Sequence, residues 1–497
     1  MTAAALPLVL AIDAGGTAVK VSLIDTAGRI VAGKAADVRT DFLPDGRVER
    51  DPEAFWTATA KAIRAAVDTT DPDRIAAIGC TGFGNGVFLT DADGRGTRPG
   101  IVSVDHRAQG LVDRLEAEGR ADALAAISRH RLWGGQTLTQ IAHLRHAEPE
   151  VMARTRWALA CKDFIRLRLT GEAFTDPTDA SGGGLMALAE GTYGRALFDG
   201  LEMGDVWEKL PPIVENSAIG GRVSARGAAE TGLRAGTPVA GSMMDVAACA
   251  LGAGLIDQSA LVMIAGTWSI NCVETDAEDR GAPPILNMLH RDRACRLVAE
   301  GSPSSAANLG WYLDRAMGRA ISPAEASARV AQSPVEARRC QFLPFVHGPA
   351  PRRGAFVDLG ATDDDGTMLR AICEGVAFQH RVHAEEILPH VGGVWPETIR
   401  LAGGAARSEP WAQIFADICQ RPVEVSEAEE VGTLGAAICA AVAGGLHRDL
   451  VTAAQAMTRV RRRHLPDARH ADFYEERFRE FLRLDKGMMA LLARPGG

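Results

Sequence analysis

The 497-residue chain has no excess of basic charge: 54 Lys and Arg stand against 63 Asp and Glu, for a formal net charge of −9. Binding to a nucleic-acid backbone draws its affinity from clustered Lys and Arg, so that class of function is excluded. The nine cysteines are odd in number and scattered, and no two are spaced Cys-x-x-Cys. This argues against a disulfide framework and fits a reduced, cytoplasmic protein. No apolar run approaches the roughly 20 residues of a membrane helix. The N-terminal apolar stretch lacks a basic leader region and runs directly into a glycine-rich motif. A P-loop of the form Gly-x4-Gly-Lys-Ser/Thr is also missing. What remains is ordinary globular composition, 46% hydrophobic and 24% charged, at a length that predicts two domains.

The first chemical signal is Asp13-x-Gly15-Gly16-Thr17-x-x-Lys20. Residues 8–12 and 18–24 read as strands joined by a small-residue turn, with Val19, Val21 and Leu23 on one face and Lys20 and Ser22 on the other. Two glycines let a backbone approach an anion closely, and exposed amides at such a bend donate to phosphate oxygens. Thr17 adds a hydroxyl, Lys20 a positive charge, and Asp13 a carboxylate for Mg²⁺. The competing reading is a plain hairpin with a solvated lysine. A second bend, Ala265-Gly266-Thr267-Trp268, repeats the Gly-Thr pair between two more apolar strands. Residues 398–401 form a strand that ends in Gly403-Gly404, with Ser408 before a helix over 409–419. That surface suits an adenosine, or is an ordinary strand-turn-helix connection. Asp245, at the start of an Ala-rich helix, is either a helix cap or a general base for an alcohol.

Elsewhere the pattern predicts helices over 52–67 (capped by Asp51, with Pro52 first), 111–127, 138–146 and 162–170, a buried strand over 74–80 and a loop over 175–184. Residues 432–443, dense in Ala and Gly, read as a closely packed helix. The stretch from Arg459 reads as basic and then helical. His143/His146 and His380/His383 share helical i,i+3 spacing, and solvated faces are expected for both pairs. The domain boundary is placed near 236–238.

Taken in order, the Asp-Gly-Gly-Thr hairpin, the Asp before a helix, the Gly-Thr hairpin and the Gly-Gly turn resemble the FGGY family of carbohydrate kinases. So do Cys161-Lys-Asp-Phe, Glu374-Gly-Val-Ala-Phe and Glu430-Val-Gly-Thr-Leu-Gly. The resemblance runs essentially end to end. It implies an α/β fold of two ribonuclease-H-like domains, of the actin and hexokinase type, flanking an interdomain cleft. The expected division is 1–236, 237–455 and a helical 456–497 that packs back on the domains. It further implies ATP and Mg²⁺ as cofactors and direct transfer to a small sugar, with Asp245 as base. Asp13, Gly15, Gly16, Thr17 and Lys20 match the first phosphate motif, Gly266 and Thr267 the second, and Gly403, Gly404 and Ser408 the adenosine motif.

The sugar-facing loops distinguish branches within the family. D-xylulose kinases typically carry Ser-Gly-Gln-Met-His-Gly where this chain has Thr81-Gly-Phe-Gly-Asn-Gly86, and Trp-Asn-Asp-x-Arg where it has Ser103-Val-Asp-His-Arg107. The latter form, with Leu132-Trp-Gly-Gly135, is closer to L-xylulose and 3-keto-L-gulonate kinases. Phe83, Asn85, Asp105, Arg107 and Trp133 are the expected sugar contacts, since polyol recognition needs fixed donors and acceptors. Erythritol, glycerol, D-xylulose and D-ribulose remain alternative substrates. A sugar-responsive regulator and an ATP-driven switch for a protein client remain alternative classes. The expected protein has no membrane or nucleic-acid partner and assembles as a homodimer.

Overall fold

The computed structural model describes residues 7–276, 282–318, 320–336, 340–348 and 352–493. The elements that position the site are, in chain order, β1 (Leu8–Ala14), β2 (Ala18–Asp25), β3 (Ile30–Asp37), α1 (Pro52–Val67), β4 (Ile75–Gly82), α2 (Cys161–Thr170), α3 (Pro177–Gly182), β5 (Ile219–Arg222), β6 (Pro238–Ala240) and α4 (Asp245–Gly252). There follow β7 (Ala260–Ala265), β8 (Ser269–Thr275), β9 (Arg296–Ser302), α5 (Asp365–Ile387), β10 (Thr398–Gly403), α6 (Glu409–Cys419), β11 (Val423–Ser426), α7 (Val431–Ala443), β12 (Val460–His464) and α8 (Ala471–Leu492).

Two compact units emerge, each stitched from three chain segments. The first holds residues 1–256, 274–298 and 430–458, and the second 257–273, 299–429 and 459–497. The expected boundary at 236 therefore moves. Residues 237–256 stay in the first unit because β6 pairs with β4 and α4 packs against α7, which returns from the C-terminal part of the chain.

The sheet of the first unit runs β5-β6-β4-β1-β2-β3. β1 is antiparallel to β2 and parallel to β4, so both its edges are paired, and residues 8–12 are buried on both faces, as their continuous apolar run requires. β2 keeps the expected alternation at Val19, Val21 and Leu23. In the second unit β7 is antiparallel to β8 and parallel to β10, and the strand order is β9-β8-β7-β10-β11-β12. Each unit thus repeats one plan, an antiparallel hairpin with a Gly-Thr bend whose first strand also pairs in parallel with a later strand.

Some local expectations change. The helix expected over 111–127 is two helices, Gln109–Ala117 and Ala121–Ser128, separated at Gly119, which has φ 68°. The loop expected over 175–184 contains α3, because the Asp176 carboxylate accepts the Thr178 and Asp179 amides and Pro177 takes the first helical position. Residues 460–464 form the edge strand β12 on β11 rather than part of a helical tail. Arg461 and Arg463 are exposed along it, and a charged edge resists pairing with another chain.

Candidate active site

The first Gly-Gly turn closes the β1–β2 hairpin. Asp13 and Lys20 are direct cross-strand partners, so the spacing that joins them in sequence brings them side by side. Lys20 is partly exposed but not an unpaired cation. Its ammonium lies 2.6 Å from the Glu430 carboxylate at the start of α7. The Asp13 carboxylate makes no hydrogen bond within the described residues, and a Cβ on Gly432 of α7 would lie 3.0 Å from its Oδ2. Glycine at 432 keeps that carboxylate accessible. Burial, and then the nearby charge of Asp245, push the Asp13 pKa up to about 7, against the opposing pull of Lys20. An unbonded carboxylate in a negative field is a fitting oxygen donor for a hard divalent cation.

Asp245 is the first residue of α4, and the cap position belongs to Met244, which makes no side-chain cap bond. The helix-cap explanation of Asp245 therefore fails. Its Oδ1 instead accepts the Val246 amide at 2.7 Å and the Gly84 amide at 3.4 Å. Burial raises its pKa to about 6 although both amides draw it down. The carboxylate is thus ionised at neutral pH yet basic enough to take a proton.

The loop that touches Asp245 through Gly84 continues into Asn85 and Gly86. Asn85 sits in the left-handed region at φ 65°, and its Oδ1 accepts the Thr137 amide at 3.2 Å. Its Nδ2 has no partner within the described residues. The Trp133 Nε1 and both amide atoms of Gln136 are buried and equally unpartnered. Such groups are costly unless a ligand or water satisfies them. Gln136 was not singled out in the sequence; only the packing of Gly184 and the Trp133–Thr137 segment around it reveals its isolation.

Phe83, Asp105 and Arg107 face different surroundings from those expected. Phe83 is only 6% exposed and belongs to the core around Phe55 and Phe88. Asp105 is fully buried, and its two oxygens receive the Val48 and Arg107 amides and the Arg107 Nε and Nη2. Those four donors use the four lone-pair directions of a carboxylate. Arg107 also reaches Glu49 at 2.8 Å. Asp105 and Arg107 therefore tie Val48 to the 103–107 segment, and the Asp105 carboxylate is fully used within the protein.

The second unit assembles its two motifs side by side. Ala265 is the register partner of Gly403, so the Gly266-Thr267 bend and the Gly403-Gly404 turn leave the same ends of neighbouring parallel strands. Gly403 has φ 85°, and a Cβ there would meet the Ala265 carbonyl at 2.6 Å, so only glycine fits. Thr267 is exposed, as Thr17 is in the first unit. The Ser408 hydroxyl pairs with that of Ser327 at 2.8 Å. His380 and His383 are buried rather than solvated. His380 pairs with Asn271 at 2.8 Å and Ser305 at 3.0 Å, and His383 with Ser269 at 3.1 Å and Ser302 at 3.2 Å. They fasten α5 beneath the strand that follows the Gly-Thr bend. Desolvation holds His380 well below the usual imidazole range, so it stays neutral.

One further acidic cluster is used internally. Asp163, Asp176 and Asp179 could hold a cation by spacing, but the Lys162 ammonium already pairs with all three.

Two Gly-Thr hairpins on duplicated sheets, one beside a pair of carboxylates and the other beside a Gly-Gly turn, define a phosphoryl-transfer enzyme of the two-domain sugar-kinase fold. The chain belongs to the FGGY family of carbohydrate kinases: the family's N-terminal domain matches residues 8–252 and its C-terminal domain residues 261–444. It is 30% identical to the L-xylulose/3-keto-L-gulonate kinase of Escherichia coli over 491 residues, covering 98% of each chain. A probable L-xylulose kinase of Pasteurella multocida is likewise 30% identical, covering 97% of this chain and 99% of its own. The ligand-bound crystal structure of a xylulose kinase from Lactobacillus acidophilus superposes with a TM-score of 0.89 at 23% identity, covering 98% and 99% of the two chains. The protein is a sugar kinase. No helix among the described residues is long and apolar enough to cross a membrane.

Proposed function

We infer that this kinase transfers the γ-phosphoryl group of ATP to a hydroxyl of a small ketose of the L-xylulose or keto-sugar-acid type. The observation that carries this reading is the Asp245 carboxylate, held by Gly84 on the same loop that leads to the unpartnered groups of Asn85, Trp133 and Gln136. Those groups read sugar hydroxyls, supplying donors and acceptors where the His and Gln of D-xylulose kinases are missing. The 30% identity to L-xylulose-type kinases supports the same branch.

In the reaction, ionised Asp245 accepts the proton of the substrate hydroxyl as its oxygen bonds to the γ-phosphorus. The bond from that phosphorus to the bridging oxygen breaks, and ADP leaves with the electron pair. Within the first unit, Gly16, Thr17 and Lys20 are the groups suited to phosphate. Within the second, Gly266 and Thr267 are suited to phosphate and Gly403 and Gly404 to adenosine. Asp13 would hold Mg²⁺, which when bound neutralises phosphate charge.

A coupled ADP-release screen over L-xylulose, 3-keto-L-gulonate, D-xylulose, D-ribulose, erythritol and glycerol tests the substrate. The highest kcat/KM is expected with one of the first two, and a clear preference for erythritol or glycerol moves the assignment to a polyol kinase. Asp245→Asn should fold and bind both substrates while kcat drops by about 10³-fold, within the usual range for a lost general base. Light scattering checks the proposed homodimer.

A further inference from the structure

Arg50, at the end of the short strand Val48–Arg50, is about 1% exposed. A buried guanidinium ordinarily faces a carboxylate. Among the described residues Arg50 faces none, and its neighbour Glu49 is committed to Arg98 and Arg107. Its donors go to the glycine turn. Nη1 reaches the Gly15 carbonyl at 3.3 Å, and Nη2 reaches the Gly16 carbonyl at 2.5 Å and the Thr40 hydroxyl at 2.8 Å. Thr40 in turn donates to the Gly16 carbonyl at 3.2 Å. The rings of Phe55 and Phe83, with centroids 5.1 and 5.3 Å from the guanidinium carbon, close its faces. Nε has no partner within the described residues.

The consequence follows from the planarity of the trans peptide, whose N–H points opposite its C=O. Drawing the Gly15 and Gly16 carbonyls onto Arg50 turns the next two amides, of Gly16 and Thr17, the other way. Both residues are exposed, and neither amide has a protein partner within the described residues. A Cβ placed on Gly16 meets nothing within 4 Å. Two successive free amides facing open space form an anion-binding nest.

We propose that Arg50 is a positioning residue for phosphoryl binding: by gripping both glycine carbonyls from behind, it aims the Gly16 and Thr17 amides at the terminal phosphates without touching the nucleotide. This rests on the reading of residues 15–17 as a phosphate turn. Its fork geometry is essential, because a guanidinium reaches all three acceptors from one rigid planar group and an ammonium does not.

The test compares Arg50→Met, Arg50→Lys and Thr40→Val with Thr17→Ala and Lys20→Met, which leave the contacts of Arg50 intact. Thermal melts establish folding, steady-state kinetics give KM for ATP and sugar separately, and calorimetry gives the ADP Kd. Both Arg50 variants are expected to raise KM for ATP and the ADP Kd by about tenfold, with the sugar KM near wild type and no rescue by lysine. Thr40→Val should raise both by about threefold, as expected for one weaker hydrogen bond. If Thr17→Ala and Lys20→Met raise the nucleotide constants while folded Arg50 variants keep them, the positioning role is wrong. If Thr17→Ala and Lys20→Met change neither constant, the phosphate-turn reading itself fails and the proposal with it. Should the Arg50 variants not fold, an unchanged ADP Kd in Thr40→Val overturns the proposal.

Discussion

Asp13 and Asp245 are two carboxylates of one unit whose surroundings raise their pKa values to about 7 and about 6. Each shift disfavours the charged form, chiefly through burial, and at Asp13 through repulsion from Asp245 as well. A general base must be ionised, so protonation of Asp245 removes activity. At saturating substrates kcat should therefore be flat above neutrality and fall toward acid by about tenfold per pH unit once below the Asp245 pKa near 6. A profile still flat at pH 5 would remove Asp245 from that role. The sequence pointed to Asp13, Lys20 and Asp245 as candidates, because each lies in or beside a short motif that suits phosphoryl transfer. It did not disclose Gln136 or Arg50. What sets them apart is a missing partner at Gln136 and two carbonyls distant in the chain at Arg50, and no spacing rule records either. Asp105 differs in the opposite way: a carboxylate in a polar motif looks the same whether its lone pairs face a ligand or its own protein.

Among elements, α7 shows why small residues recur where they do. A Cβ on Gly435 would overlap the Ala248 carbonyl of α4, one on Gly252 the Val431 carbonyl of α7, and one on Gly79 the Ala436 carbonyl of α7. The two helices and β4 thus meet backbone to backbone, which carries Glu430 to Lys20 and Gly432 to Asp13. Gly435→Ala should lower stability by about 1–3 kcal/mol through overpacking, read as a reduced midpoint in denaturant. An unchanged midpoint would show that the helix contact is looser than described. The Ala and Gly density of residues 432–443 predicted a close neighbour, but not that the neighbour would be α4. The hairpins were legible because period-two alternation flanks a glycine bend. The helix α3 was not, since a polar Asp-Pro-Thr-Asp run reads as loop until the Asp176 carboxylate is seen capping it.

At the scale of the whole molecule, the units are interleaved along the chain. The first is incomplete without residues 274–298 and 430–458, which include α7, packed on α4, β1 and β4. A fragment of residues 1–256 leaves that apolar surface uncovered and is expected not to fold cooperatively. Circular dichroism melts of the fragment check this, and a sharp native-like transition would contradict it. By itself, the sequence determined the two-fold repetition of a Gly-Thr hairpin, the kinase family and the candidate base, since these follow from local periodicity and short motifs. Only the tertiary structure decided that α7 belongs with the first unit, that Asp245 is no helix cap, that Asp105 is spent internally and that Arg50 grips the glycine turn. Burial and hydrogen-bond pairing between distant segments are properties of packing, and packing is set by the whole chain at once.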